Sequence, residues 1–271
     1  MKCRSSLICL CIFLAGLMIV SQSFSDEAKI KDTAVGIWLF EDNADDSSGN
    51  KNHGQLKNGA KIAGGGKFGN ALSLDGKDDY VLVNPSASLE SSAKQYTGVA
   101  WVKLDKEGVQ RNACCNDDQN ILSWTPGWHS LLLVFGAGRG GNQGKVEIGS
   151  AELAPQWNSG TKQVNDDKWH HLAFVYDGKK KLLYVDGEVD IDTPASGTFG
   201  IFGIDVTIGG TAASQRHAEG LLDDIAIFNA PLAKNDIKTL MDKGVGKTLG
   251  LLPVSPKYRL TAIWASIKSG T

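Results

Sequence analysis

Between Gly36 and Val83 the chain reads G-I-W-L-F-E-D-N-A-D-D-S-S-G-N-K-N-H-G and later F-G-N-A-L-S-L-D-G-K-D-D-Y-V-L-V. An apolar run enters an acidic loop rich in Gly and Asn, and two further short runs flank the turn Asp75-Gly76-Lys77-Asp78-Asp79. Asp-Gly supplies the positive φ that tight hairpin turns require, so this segment predicts short antiparallel strands rather than helices. The rest of the chain repeats the theme. Residues 96–104 alternate as a half-buried strand should, and residues 121–124, 129–135, 205–208 and 221–228 read as further strands. The clearest hairpin is Trp169-His170-His171-Leu172-Ala173-Phe174-Val175-Tyr176, turning at Asp177-Gly178 and returning through residues 181–185 to Asp186-Gly187. Helical periodicity is nearly absent over some two hundred residues, which argues against an α/β architecture. One helix is predicted over residues 232–243, where Ile237, Leu240 and Met241 share a face and Gly244 stops it.

The ends read differently. Lys2 and Arg4 precede an apolar run over residues 7–20, too short to span a bilayer comfortably, and Ser23-Phe24-Ser25 offers small residues for cleavage. Residues 1–25 are therefore expected to be a signal peptide, with export to the extracellular space, or to the periplasm in a bacterial host. Without Lys2 and Arg4 the chain keeps 26 basic and 30 acidic residues, and it has no basic stripe, so nucleic acid is excluded as a partner class. No later segment is apolar and long enough for a membrane span. At the other end, residues 246–271 read as a Pro-marked linker and a tail around Trp264, expected to dock on the domain's own surface.

Of five cysteines, only Cys114 and Cys115 lie beyond the leader, and they are adjacent. Neighbours in sequence cannot staple distant strands, so the core must hold by burial alone. The pair is open to three fates: a strained vicinal ring, free thiols, or pairing between chains.

Further runs carry a family likeness: Trp101-Val102, Trp169-His170-His171-Leu172-Ala173, Leu183-Tyr184-Val185-Asp186-Gly187, and Gly220-Leu221-Leu222-Asp223-Asp224-Ile225-Ala226-Ile227-Phe228. In this order, after the opening segment, they resemble laminin-G-like, concanavalin A-like jelly-roll domains over residues 35–244. The resemblance implies an all-β, two-sheet antiparallel jelly-roll sandwich over residues 33–245 with one short C-terminal helix. It also implies an extracellular setting and often a calcium ion at one edge. Such sandwiches host many functions, so the likeness speaks for fold more than for activity.

Asp42, Asp45, Asp46, Asn50 and the backbone around His53 offer the several oxygen donors that calcium prefers. In related sandwiches the first acidic residue of the late strand, here Asp223, lies across from this loop. The expected ligands are Asp46 and Asp223, helped by Asn50 and the carbonyl of His53. The alternative is that these residues make Asx turns and cap strand ends. The Asp75–Asp79 cluster reads as a turn and not a site.

Two patterns mislead. Gly136-Ala137-Gly138-Arg139-Gly140-Gly141 has the spacing of a dinucleotide loop, but a strand follows it, so no helix N-terminus is there to hold a pyrophosphate. Glu188-Val189-Asp190-Ile191-Asp192 resembles the carboxylate strand of laminarinase-type glycosidases, yet it ends in the shorter Asp and follows a hairpin turn. Sugars stack on aromatic rings while polar neighbours bond their hydroxyls, so Trp128 and Trp157, with Arg139 and Asn142, are the candidate glycan residues. The other reading of Trp128 and Trp157 is core edge; Trp38, Trp101 and Trp169 are expected to fill the core. Together these features lead to a secreted binding module for carbohydrate or an extracellular protein, with a structural calcium ion. The alternatives are a glycoside hydrolase using Glu188 and Asp190, and a purely structural adhesion module.

Overall fold

The computed structural model describes residues 29–105, 118–125, 133–136, 144–210 and 216–251. The leader, Cys114, Cys115, Trp128, Arg139, Asn142 and the tail lie outside the described residues.

Two antiparallel sheets stack face to face as a jelly-roll sandwich, in agreement with the sequence. The eight-stranded sheet has the order β14 (Glu188–Pro194), β13 (Lys180–Val185), β12 (His170–Tyr176), β6 (Tyr96–Leu104), β17 (Glu219–Phe228), β4 (Asn70–Asp75) and β3 (Lys61–Gly64), with β1 (Ala34–Trp38) also on β17. The seven-stranded sheet runs β11 (Trp157–Gln163), β9 (Lys145–Gly149), β8 (Leu133–Gly136), β7 (Asp118–Thr125), β16 (Asp205–Ile208), β5 (Tyr80–Val83) and β2 (Gly54–Lys57). A two-stranded ribbon pairs β10 (Leu153–Ala154) with β15 (Ser196–Gly197). The glycine-rich run after β8 leads into β9, which pairs antiparallel with it, so a strand and not a helix follows.

Alternation along each strand sends one set of side chains between the sheets. Trp38, Ala100, Val102, Trp124, Leu172, Phe174 and Ile208 meet there, the larger ones without exposed surface. Truncating one such aromatic, Phe174→Ala, removes roughly 3–5 kcal/mol. The opposite set on the eight-stranded sheet, Val99, Ala173, Ala226 and Phe228, is covered by the helix Lys234–Lys243 through Ile237 and Leu240, and by Val245 and Leu249. Gly244, at φ 81°, stops that helix by donating its N–H to the Leu240 carbonyl at 2.9 Å. The eight-stranded sheet is thus buried on both faces.

Of the three tryptophans assigned to the core from sequence, Trp38 and Trp101 are buried, though on opposite faces of the sheet, and Trp169 is not. Trp38 is fully buried between the sheets. Trp101, 6% exposed, is buried on the opposite face from Ala100 and Val102, against Phe68 and His171 with the Lys67 ammonium 3.9 Å from its ring centre, and Trp169 is only half-buried. Alternation fixed the face of Trp101, but which face of the sheet is the core depends on the partner sheet.

Candidate functional site

The first loop is organised by Asp46. Its Oδ1 accepts the N–H groups of Ile37 (2.9 Å) and Ser48 (2.8 Å), while Oδ2 accepts from Ser48 Oγ (2.8 Å) and Asn52 N (2.9 Å). Four donors fill the lone pairs of a carboxylate 8% exposed, so an ion at Asp46 would have to displace them. Asn50 Nδ2 donates to the Ala34 carbonyl, and His53 Nδ1 lies 3.3 Å from the Asp46 amide and 3.1 Å from Asp45 Oδ1. These are Asx-turn and strand-tying contacts.

Asp223 stands on β17 without exposed surface and shares no hydrogen-bond partner with Asp46. Its Oδ2 accepts the Phe68 N–H at 2.9 Å and its Oδ1 the Asp224 N–H at 2.8 Å. Asp224, at φ 47° in the bulge of β17, accepts the Val245 N–H at 2.7 Å. Glu41 accepts the Asn70 N–H at 3.2 Å, and its carboxylate lies where a Cβ on Gly69 would be. The F-G-N run therefore reads two acids with the amides of Phe68 and Asn70, and only glycine fits between them. Burial pushes the Asp223 carboxyl up to about 7, with Asp224 and Glu41 adding to it, and burial pushes Asp224 up to about 6. Among the described residues, Asp75, Asp78 and Asp79 are the one acidic or histidine group whose ligand atoms lie within 4.8 Å of one another. Asp79 there already accepts the amides of Gly59 and Asp75.

The glycosidase-like carboxylates diverge. A register shift between Leu183 and Tyr184 interrupts the alternation of β14. Glu188 turns to the helix, pairing with Lys234 at 2.7 Å and Lys238 at 3.0 Å, and those ammonium groups hold its carboxyl down to about 2. Asp190 reaches β11, where its Oδ2 accepts the Thr161 and Lys162 amides at 2.9 and 3.3 Å. Asp192 pairs with Lys180. Asp190 faces away from Glu188 and Asp192, and Glu188 is held ionised rather than poised to give up a proton.

Trp157 is the candidate glycan residue that falls within the described residues. It opens the edge strand β11 and pairs with Gly149, and Ser159 pairs with Glu147. Val146 and Ile148 point into the core, so Glu147 and Gly149 point away from it. A Cβ on Gly149 would sit 2.7 Å from the Trp157 ring and 2.0 Å from the Gln156 carbonyl oxygen. The bare glycine thus lets a half-buried indole lie on the outward face, the same face as the exposed Ser159 and the buried Glu147, which is 8% exposed. The sequence marked Trp157; it did not mark Gly149, whose meaning is visible only through strand register.

The histidines of β12 take opposite roles. His170 sits between Asp186 (Nδ1–Oδ2 2.8 Å) and Asp166 (Nε2–Oδ1 3.0 Å), which raise its pKa, the Asp186 bond foremost. His171 packs edge-on against Trp101, and burial lowers it to about 3.

A family model described as the concanavalin A-like lectin/glucanases superfamily matches residues 75–238, more than half of the chain. The chain belongs to this superfamily. No curated protein matches it. Among solved structures, this lectin/glucanase-type sandwich is similar to domain 4 of AbnA, a GH43 extracellular arabinanase from Geobacillus stearothermophilus, in complex with arabinotriose. There the TM-score is 0.59 at 19% identity, over 77% of this chain and 98% of that domain. The binding domain of Paraclostridial Mosquitocidal Protein 1 matches with TM-score 0.61 at 14% identity, over 79% of this chain and 52% of that one. The ligand-binding domain of botulinum neurotoxin serotype D, in complex with N-acetylneuraminic acid, matches with TM-score 0.57 at 16% identity, over 79% and 52%. The chain spans about half of these toxin domains, and at such identities the likeness shows the fold. Among the described residues no helix is long and apolar enough to cross a membrane.

Proposed function

We propose that this protein is a secreted carbohydrate-binding module whose site lies on the outward face of the seven-stranded sheet, at the β11 edge. The observation that carries this reading is the Trp157 ring over Gly149, beside Glu147 and Ser159. An indole face supplies the apolar stacking surface, and the exposed Ser159 hydroxyl supplies bonds to sugar hydroxyls. The match to nearly the whole of an arabinotriose-bound domain supports the ligand class. Trp128, Arg139 and Asn142, outside the described residues, belong to the same proposed ligand-binding set. The partner is therefore a glycan, with an extracellular protein bearing one as the wider possibility.

Calcium belongs to the same proposal, in a structural role. The proposed anchor is Asp223, buried near Asp224 and Glu41, three acids with no lysine or arginine paired to them among the described residues, although their ligand atoms do not converge as those of Asp75, Asp78 and Asp79 do. A bound divalent cation would neutralise acids that now repel one another.

The test is an array of neutral and acidic oligosaccharides probed with the native chain and with Trp157→Ala. Binding by the native chain that drops at least about tenfold in the variant supports the reading, as expected for loss of an aromatic anchor. Equal binding by both, or none by the native chain, overturns it.

A further inference from the structure

Lys181 is a buried lysine in the sandwich interior. It lies on β13 opposite Tyr176 and two residues before Leu183, both of which face the inter-sheet core, and it has no exposed surface. Its ammonium reaches the connection between β10 and β11 and donates to two successive carbonyls, Pro155 O at 2.7 Å and Gln156 O at 3.1 Å. The Gln156 carbonyl also accepts the Ser150 N–H at 3.0 Å and lies against the bare Cα of Gly149. The next residue is Trp157. The amine thus anchors the backbone from which the indole projects.

We propose that Lys181 is a positioning residue for the Trp157 glycan site, holding the indole over Gly149 through the Pro155 and Gln156 carbonyls. This rests on the carbohydrate reading above and adds its control by protonation. A charged ammonium makes stronger, shorter bonds to carbonyls than the neutral amine does. Burial lowers Lys181 to about 8, and Glu147 on β9 acts in the opposite sense. The Tyr176 phenol, across the ladder, is raised and stays neutral over the same range. Lys180 and Asp192 pair at 3.1 Å on the other face of the strands. The group is therefore charged at neutral pH and loses its charge near 8, where the Tyr176 phenol stays neutral.

The two consequences have opposite signs. The unfolded lysine keeps its proton to 10.5 while the folded one releases it near 8, so between these values the unfolded state binds more protons and stability rises with pH. Affinity moves the other way, because the charge that fixes the carbonyls is lost. A side chain that merely filled space would move neither.

The experiment measures arabinotriose affinity and urea stability of the native chain, Lys181→Met and Lys181→Arg from pH 6.5 to 9.5. It is accompanied by the Trp157 indole N–H resonance, assigned with Trp157→Phe. In the native chain the affinity falls about tenfold with a midpoint near 8 while stability rises. The methionine variant binds about tenfold more weakly at pH 6.5 with no pH dependence, although it is folded, and arginine restores part of the affinity and keeps it to pH 9.5. The indole resonance shifts with the same midpoint in the native chain and stays fixed in Lys181→Met. Native-like, pH-dependent binding by Lys181→Met, or an indole resonance indifferent to pH, overturns the role of Lys181 and leaves the glycan site standing. Absence of binding to arabinotriose and to every other glycan of the array overturns the glycan site, and the role of Lys181 with it.

Discussion

The buried pair on β17 makes a quantitative demand on stability. Asp223 has no exposed surface, lies against Asp224 and near Glu41, and takes up its proton near 7 instead of 3.8. At about 1.36 kcal/mol per pH decade, its neutral form is favoured in the folded state by roughly 4 kcal/mol relative to the unfolded chain. The folded pKa is the higher one, so between these two values the folded state binds more protons and stability falls as pH rises. In chelator, urea denaturation from pH 4 to 8 should lose several kcal/mol. Asp223→Asn, which cannot titrate, should lose roughly 4 kcal/mol less over that range, although it forfeits one of the two amide bonds and begins lower. Millimolar calcium at pH 8 should restore much of the native loss, because a divalent cation replaces the protons. Native and Asp223→Asn curves that run parallel across this range would refute the assignment of a raised carboxyl. Calcium without effect would remove the ion from the proposal.

His170 has the other sign of charge but the same direction with pH. Its folded pKa is raised, so its stabilisation is fully present below 6.5 and is lost as pH rises through the folded value. His170→Gln should therefore lower the melting temperature at pH 6 and match the native chain at pH 9. Asp46→Ala strips four bonds from the first loop and strands the Ile37 and Asn52 amides, at a cost of roughly 3 kcal/mol in chemical denaturation. Gly149→Ala sets a Cβ 2.0 Å from the Gln156 carbonyl oxygen. It should lose glycan binding as fully as Trp157→Ala, and unchanged affinity would place the ligand elsewhere.

Much of the sandwich was legible because alternation and Asp-Gly turns are local signals. The hairpin of β12 and β13, the strands β5, β6 and β16 and the Gly244 helix stop lie where the sequence put them, within a residue or two. The missed strands have a common cause. β2, β3 and β11 are edge strands with exposed polar residues, so Gly54–Lys57 and Trp157–Gln163 carry no apolar alternation to recognise. The site was legible only in part. Asp46 and Asp223 stood out as acids in acid-rich runs, but a carboxylate that caps four amides and one that lies buried without a counter-ion look the same in one-letter code. Trp157 was marked by residue type; Gly149 and Lys181 gained meaning from register and from a contact with the connection between β10 and β11. The bulge in β14 undid the one face that strict alternation would have given Glu188, Asp190 and Asp192.

Because the helix Lys234–Lys243 covers the outer face of the eight-stranded sheet, the proposed β11 site lies on the opposite side of the sandwich from it. A tether attached at the exposed Asp242, on the helix Lys234–Lys243, would hold the protein to a bead or sensor chip by its roof. The β11 rim would then face the analyte in every copy, whereas random lysine coupling would present it in only a fraction of them.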